Sequence, residues 1–224
     1  MQQNQTAILF FSRTMEEEFK VNNLGMSKAA FREYYQFQIE RTLDIAHSSG
    51  LPVEKCFSDK QRGEGFGQRL QHALLELKSK GYTSAIVLGN DTPLLKKTHL
   101  DLASLSLSNG HQLIGQDQHG GAWIIAIQLD QSLIKGIAGI QWSSRSLYFE
   151  LQELLNSPIE LEHSIDINER ADIKILFKSS DISRSLKRVI RGLYRLPLLD
   201  RKVLSDVGQL PLSLLSLRGP PVLN

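Results

Sequence analysis

The sequence predicts an α/β fold in which a mostly parallel central sheet is covered by helices on both faces. Three observations carry that prediction. Four aliphatic residues, Ala85-Ile86-Val87-Leu88, run without a polar interruption until Gly89, and Pro93 follows after Asn90-Asp91-Thr92. Such a run marks a strand buried on both faces, and proline ends it because it cannot donate to a ladder. Strand-like and helix-like segments also alternate along most of the chain, as crossovers between parallel strands require. Finally, 224 residues with 41% hydrophobic and 22% charged content suit one large globular domain, or one domain with a tail.

Taken in order, Thr6–Phe11 is the first predicted strand, and Ser12 to Gly25 reads as a polar loop around Glu16-Glu17-Glu18. Ser27 caps a helix that runs to about Ser48, with Ala30, Tyr34, Phe37 and Leu43 as inward candidates. Pro52–Phe57 is a second strand, and Gly63, Gly65 and Gly67 make a flexible loop. The next helix spans about Gln68 to Lys80, with Leu70, Ala73, Leu74 and Leu77 on one face. After the strand Ala85–Gly89 come a helix over 97–108 and strands over His111–Gln116 and Trp123–Ile127. A helix over 144–156 and a strand over Ile159–His163 close the alternation before Asp166.

Several function classes are disfavoured by composition. No run approaches the roughly 20 apolar residues that cross a bilayer. The start, Met1-Gln-Gln-Asn-Gln5, lacks the basic opening of a secretory signal. Cys56 is the single cysteine, so an internal disulfide and a cysteine-based zinc site are both ruled out. A bacterial-style cytoplasmic location is the expectation. The net charge of +2 hides an asymmetry: from Lys178 to Asn224 there are nine Lys/Arg and three Asp/Glu, a net of +6, leaving −4 for residues 1–177.

That asymmetry divides the chain into a domain over 1–177 and a basic, leucine-rich extension over 178–224. Ser180-Asp181 can cap a helix over 181–195 in which Ile182, Leu186, Val189, Ile190 and Leu193 recur at helical spacing among five basic residues. An apolar stripe of that kind predicts packing on the domain or at a homodimer interface. Basic helices also bind anionic membranes or nucleic acid, but the helix is the only such signal.

Asp91 is the foremost site candidate. It lies just past the carboxyl end of a buried strand, where open α/β sheets take their ligands, and a carboxylate there can hold a divalent cation. Capping of the helix after Pro93 is the competing reading. The Gly63/Gly65/Gly67 run is not a dinucleotide fingerprint, because it is Gly-x-Gly-x-Gly after a weak strand.

With the elements placed, the chain resembles a bacterial family of glycosyltransferase-like proteins of unknown function. That family has the GT-A-like, three-layer fold of nucleotide-diphospho-sugar transferases. The resemblance covers residue 6 to about 176. It rests on Phe11-Ser12-Arg13, Gly63-Glu64-Gly65-Phe66-Gly67-Gln68-Arg69-Leu70, Gly89-Asn90-Asp91-Thr92-Pro93, His119-Gly120-Gly121-Ala122, Ile140-Gln141-Trp142-Ser143-Ser144 and Asp166-Ile167-Asn168, in that order. It implies a nucleotide-sugar-dependent transferase that uses magnesium or manganese, with Asp91 as metal ligand. Arg13, Lys20, Gly65, Arg69, Asn90, Gly120, Gly121 and Trp142 then become nucleotide or substrate contacts, and His119 and Asp166 the catalytic candidates. Each has a plainer reading too. Arg13 and Lys20 can be solvated charges, Arg69 a helix-face residue, His119 a surface loop residue, and Trp142 core packing.

The departures from the family pattern point to an atypical site. Lys20 survives in a loop where the family's arginine is lost, and asparagine there cannot replace a bidentate phosphate clamp. The acidic residue before Gly120-Gly121 is His119, the tyrosine after them is Ala122, and a second carboxylate is Asn168. An impaired transferase, an inactive GT-A-like binding protein and a nucleotidyltransferase that consumes a nucleoside triphosphate are therefore the readings left open.

Overall fold

The computed structural model describes residues 5–144, 146–180 and 182–194, apart from the side chains of 193 and 194. Six strands form one sheet in the order β2-β1-β3-β5-β4-β6. They are β1 (Thr6–Ser12), β2 (Val53–Phe57), β3 (Ser84–Leu88), β4 (Leu113–Asp117), β5 (Ala122–Gln128) and β6 (Ile159–Ser164). Three pairings are parallel, β1 with β2, β1 with β3 and β4 with β6, while β5 runs antiparallel to both β3 and β4. The sheet is mostly parallel, as the sequence predicts. The central strand β3 nevertheless has one parallel and one antiparallel neighbour. The reason is local: β4 and β5 are joined by a four-residue turn, 118–121, too short for the crossover that a parallel pair needs.

Alternation along the strands assigns each side chain to a face. Ala7, Leu9, Phe11, Ala85, Val87, Ile125 and Ile127 meet α3 (Phe66–Ser79), α5 (Gln131–Gly139) and α6 (Leu147–Leu154). Ile8, Ile86, Leu88, Ile124 and Ala126 meet α4 (Lys97–Ser108) and the end of α2 (Lys28–Ser48) on the other face. Both faces of β1 and β3 are buried, which is why these strands carry no polar alternation. Leu70, Ala73, Leu74 and Leu77 of α3 are all buried, as predicted, although the helix begins at Phe66, two residues earlier.

Besides α7 (Arg170–Lys178), which the sequence prediction lacks, three elements differ from it. Within the predicted loop Ser12–Gly25 lies a short helix, α1 (Met15–Val21), with Glu16, Glu17 and Glu18 in its first turn. Acidic residues there complement the helix dipole, which offsets the weak apolar pattern. In α2 the cap is as predicted, since Ser27 accepts from the Ala30 amide, but the buried face is Phe31, Tyr34, Tyr35, Gln38, Thr42 and Ala46. Ala30, Phe37 and Leu43 are half-buried. The third is α5, where Gly136 and Gly139 weaken the helical signal. At Gly136 an added Cβ would stand 2.2 Å from Leu154 Cδ1 of α6, which would have to repack.

A third apolar cluster lies at one end of the molecule. It joins Leu24, Phe31, Tyr34 and Tyr35 to Ile167, to Ile173 and Leu176 of α7 (Arg170–Lys178), and to Ile182, Leu186 and Ile190 around α8 (Arg184–Tyr194). Those last three are 6%, 0% and 0% exposed. Of the predicted stripe, Val189 is half-buried, the side chain of Leu193 lies outside the described residues, and so do residues 195–224. Among the described residues no helix is long and apolar enough to cross a membrane.

Candidate functional site

The carboxyl ends of β1 and β3, which run parallel, face the same way, and chain reversal there exposes the residues that follow. After β3 come Gly89, Asn90 and Asp91. At Gly89 Asp91 Oδ1 stands 2.5 Å from the place of the absent Cβ, so a side chain there would push the carboxyl aside. Asp91 therefore folds back over the strand end. Its carbonyl accepts from the Ile167 amide at 3.1 Å, which ties the β3 end to the 166–168 segment. From the far side the Arg41 guanidinium donates to the carbonyls of Leu95 at 2.8 Å and Thr92 at 3.4 Å, pinning the same loop to α2.

Asp166 is 7% exposed. One oxygen, Oδ2, accepts from Asn168 Nδ2 at 3.1 Å, while Oδ1 finds no N–H or O–H donor among its neighbours. The Asp91 carboxyl is its neighbour, and a proton between the two acids would satisfy both. Burial raises the Asp91 carboxyl to about 6, with the charges of Glu18 and Asp117 acting in the same direction. Burial, then the charges of Asp91 and Asp117, raises Asp166 well above the carboxylate range. Among the described residues no cation offsets this set. Arg13 could do so, but its guanidinium pairs with Glu18 at 2.9 Å.

Asp117 ends β4 and organises the turn that follows. Its Oδ1 accepts from the amides of His119 at 2.7 Å and Gly121 at 2.8 Å. Gly120 holds φ +85°, and a side chain on Gly121 would stand 2.3 Å from Asp117 Oδ2. The two glycines thus serve the turn first. His119 Nε2 lies 3.1 Å from Oδ1 of Asp172, which is 1% exposed. Asp172 also accepts from Gln118 Nε2 and from the amides of Asn168 and Glu169. It locks the start of α7 against the turn.

The sequence-derived candidates divide accordingly. Asp91, Asn90 and Asp166 converge, and a cavity of about 20 Å³, room for little more than one water, opens between Asn90, Asp91, Glu18, Asn22 and Tyr35. His119, Gly120 and Gly121 border this group through Asp117. Lys20 is exposed on the last turn of α1. Gly65 is the exposed N-cap of α3, and Arg69 turns back to the Gly63 carbonyl at 3.1 Å, so neither lines the Asp91 cavity. Trp142 donates to the Ile137 carbonyl at 3.0 Å and packs on Phe66 with ring centroids 4.5 Å apart. Its indole covers Gly67, whose Cβ would stand 2.7 Å from Nε1 and 2.9 Å from a backbone carbonyl. Gly67→Ala should therefore cost about 1–3 kcal/mol of stability by overpacking, read as a lower urea midpoint; an unchanged midpoint would free Trp142 from this packing role.

Glu18, Asp117, Asp172, Gln118 and Arg41 were not singled out in the sequence. Asp117 carried one signal, a carboxylate at a strand end two residues before His119. The others are brought in only by tertiary contact.

Residues 42–144 match the model of a family described as uncharacterized proteins conserved in bacteria (DUF2064). Among solved structures, the chain is similar to a provisionally named nucleotide-diphospho-sugar transferase from Desulfovibrio desulfuricans G20. The TM-score is 0.70 at 19% identity, with 86% of this chain and 98% of that one covered. It is also similar to Rv0371c from Mycobacterium tuberculosis H37Rv, with TM-score 0.51, 13% identity, and 80% and 100% coverage. No curated protein matches it in sequence. At these identities the likeness shows the fold, which is the nucleotide-diphospho-sugar transferase fold that the motif order implies.

Proposed function

We propose that the chain is a nucleotide-dependent transferase that binds the diphosphate of its nucleotide substrate, together with a divalent cation, at Asp91 and Asp166. The observation that carries this reading is the pair itself: half-buried Asp91 and buried Asp166 meet at the carboxyl end of β3 with no basic partner among the described residues. A protein gains nothing structural from such an arrangement, since burying unpaired carboxylates costs stability. An incoming positive charge would relieve it.

The donor set suits magnesium or manganese. Among the described residues no group of three or more His, Cys, Asp or Glu is placed to hold an ion alone. Hard cations that keep waters and substrate phosphate oxygens need only one or two carboxylates. Asp91 and Asp166 would supply these, and the Asn90 carbonyl is a neighbouring donor. Such an ion, when bound, neutralises charge developing on a leaving diphosphate.

The chain's own residues do the rest. Arg41 holds the 92–95 carbonyls, so the Asp91 loop stays against the strand end. The Asp91 carbonyl and Ile167 amide keep the two acids together. Tyr35 donates to the Arg13 carbonyl, which keeps the β1 end close to the cavity. Glu18 must give up Arg13 for that guanidinium to reach a phosphate.

Nucleotide-sugar transfer is the favoured chemistry, and the donor sugar and acceptor are not assigned. A non-catalytic binding role is the second reading. It is favoured by Asn168, which caps Asp166 where the resembled family has a further acid. A thermal-shift panel of nucleoside diphosphates, triphosphates and nucleotide-sugars, each with manganese and with chelator, tests both. Manganese-dependent stabilisation by a nucleotide-sugar is the expected result. Stabilisation that chelator leaves intact would remove the cation from the reading.

A further inference from the structure

A second cavity lies on the flank of the sheet, between β2, the 58–62 loop and α3, and its lining shares no residue with the Asp91 cavity. We propose that this groove is an anion site, and that it takes a phosphate-bearing small molecule. It encloses about 790 Å³, within the usual range for ligand sites. Lys60, Arg62 and Arg69 line it with His72, against Asp59 and Glu76.

The charges are not balanced within the groove. Neither Lys60 nor Arg62 pairs with a carboxylate among the described residues, and Glu76 is drawn to Lys80 at 3.3 Å, outside the groove. Lys80 is shared with Glu54 at 2.9 Å, so three permanent cations stand against Asp59 and a Glu76 that is only partly drawn away. This is a local positive excess on a domain whose residues 1–177 carry a net of −4. A surface that merely solvated its charges would not concentrate them in a concavity, where low-dielectric walls focus the field.

The loop that bears the cations is also held in shape. His72 Nδ1 stands 3.0 Å from the Arg62 carbonyl, and Arg69 Nε donates to the Gly63 carbonyl at 3.1 Å. Gln61 Nε2 reaches the carbonyls of Ser12 and Cys56 at 3.1 and 3.0 Å. These bonds fix the backbone on both sides of Arg62 and leave its guanidinium free to point at a ligand. Arginine suits phosphate oxygens because its fork donates to two at once.

The test is calorimetric titration of the full chain with inorganic pyrophosphate at low salt, in the presence of chelator so that no cation bridges it to Asp91. Wild-type protein should bind, and more weakly as salt rises. Lys60→Gln with Arg62→Gln should weaken binding at least tenfold without lowering the melting temperature, since both side chains are exposed. Arg62→Lys alone should retain part of the affinity. Asp91→Asn should leave it unchanged, as should Lys174→Gln with Lys178→Gln, an equal loss of charge on the exposed face of α7. Absence of binding by wild-type protein overturns the proposal. So does an undiminished affinity in the Lys60/Arg62 variant. An equal loss in the α7 variant would mean non-specific attraction, and a loss in Asp91→Asn would place the anion in the other cavity; either result also overturns it.

Discussion

Ending the chain at Ser180 is expected to destabilise the protein by about 4–8 kcal/mol, because Ile182, Leu186 and Ile190 then leave the cluster formed with Phe31, Tyr34 and Leu176. Each buries an aliphatic side chain almost completely. Total stabilities of domains this size are of the same order, about 5–15 kcal/mol, so the shortened chain should melt far below the full chain or fail to fold. Leu186→Ala is the milder variant, with an expected cost of about 2–5 kcal/mol from lost burial and the cavity left behind. Urea denaturation followed by circular dichroism reads both. The loss should persist at high salt. Arg184 and Arg188 are exposed, and attraction between such cations and the acidic domain is screened and worth little. Arg191 lies over the Phe177 ring, 5.6 Å from its centroid, which adds a smaller contact. A shortened chain that unfolds at the same urea concentration would show that α8 is not needed to cover the cluster.

Asp91→Asn is expected to weaken manganese-dependent nucleotide binding tenfold or more, since an amide lacks the charge a hard cation requires. The same substitution should raise stability at pH 8. A carboxyl raised from its ordinary 3.8 to about 6 in the folded state binds more protons folded than unfolded between those values. Stability then falls as pH rises from about 4 through 6. Removing the group should flatten that fall by something on the order of 1–2 kcal/mol, allowing for the open side of Asp91 and for its proton shared with Asp166. Calorimetry with a nucleoside diphosphate and manganese checks the first effect; urea midpoints at pH 5 and pH 8 check the second. Unchanged affinity together with an unchanged pH slope would remove Asp91 from the site.

Much of the fold was legible without coordinates. The runs Thr6–Phe11, Ala85–Leu88 and Trp123–Ile127 read as buried strands because both their faces meet helices, so no polar alternation interrupts them. Ser27 read as a cap because its hydroxyl can serve only an amide just ahead of it. Asp91 read as a candidate site residue from position alone, past a strand end and before a proline. The helices α1 and α5 were not legible, as one is seven residues with no buried side chain and the other holds two glycines.

Local order in the sequence, then, determined the six strands and the longer helices, and that a carboxylate would stand at the end of β3. What tertiary structure alone decided is where the charges meet. The β5 reversal brings the 117–121 turn beside Asp166, and Glu18 takes Arg13 away from the cavity. Arg69, inside the Gly-rich run, and Trp142, three motifs further on, turn instead toward the α3 flank and the core. Strand and helix periods depend on neighbours two to four residues apart. Asp91 meets Asp166, and His119 meets Asp172, across more than fifty residues, at distances that only the packed sheet sets.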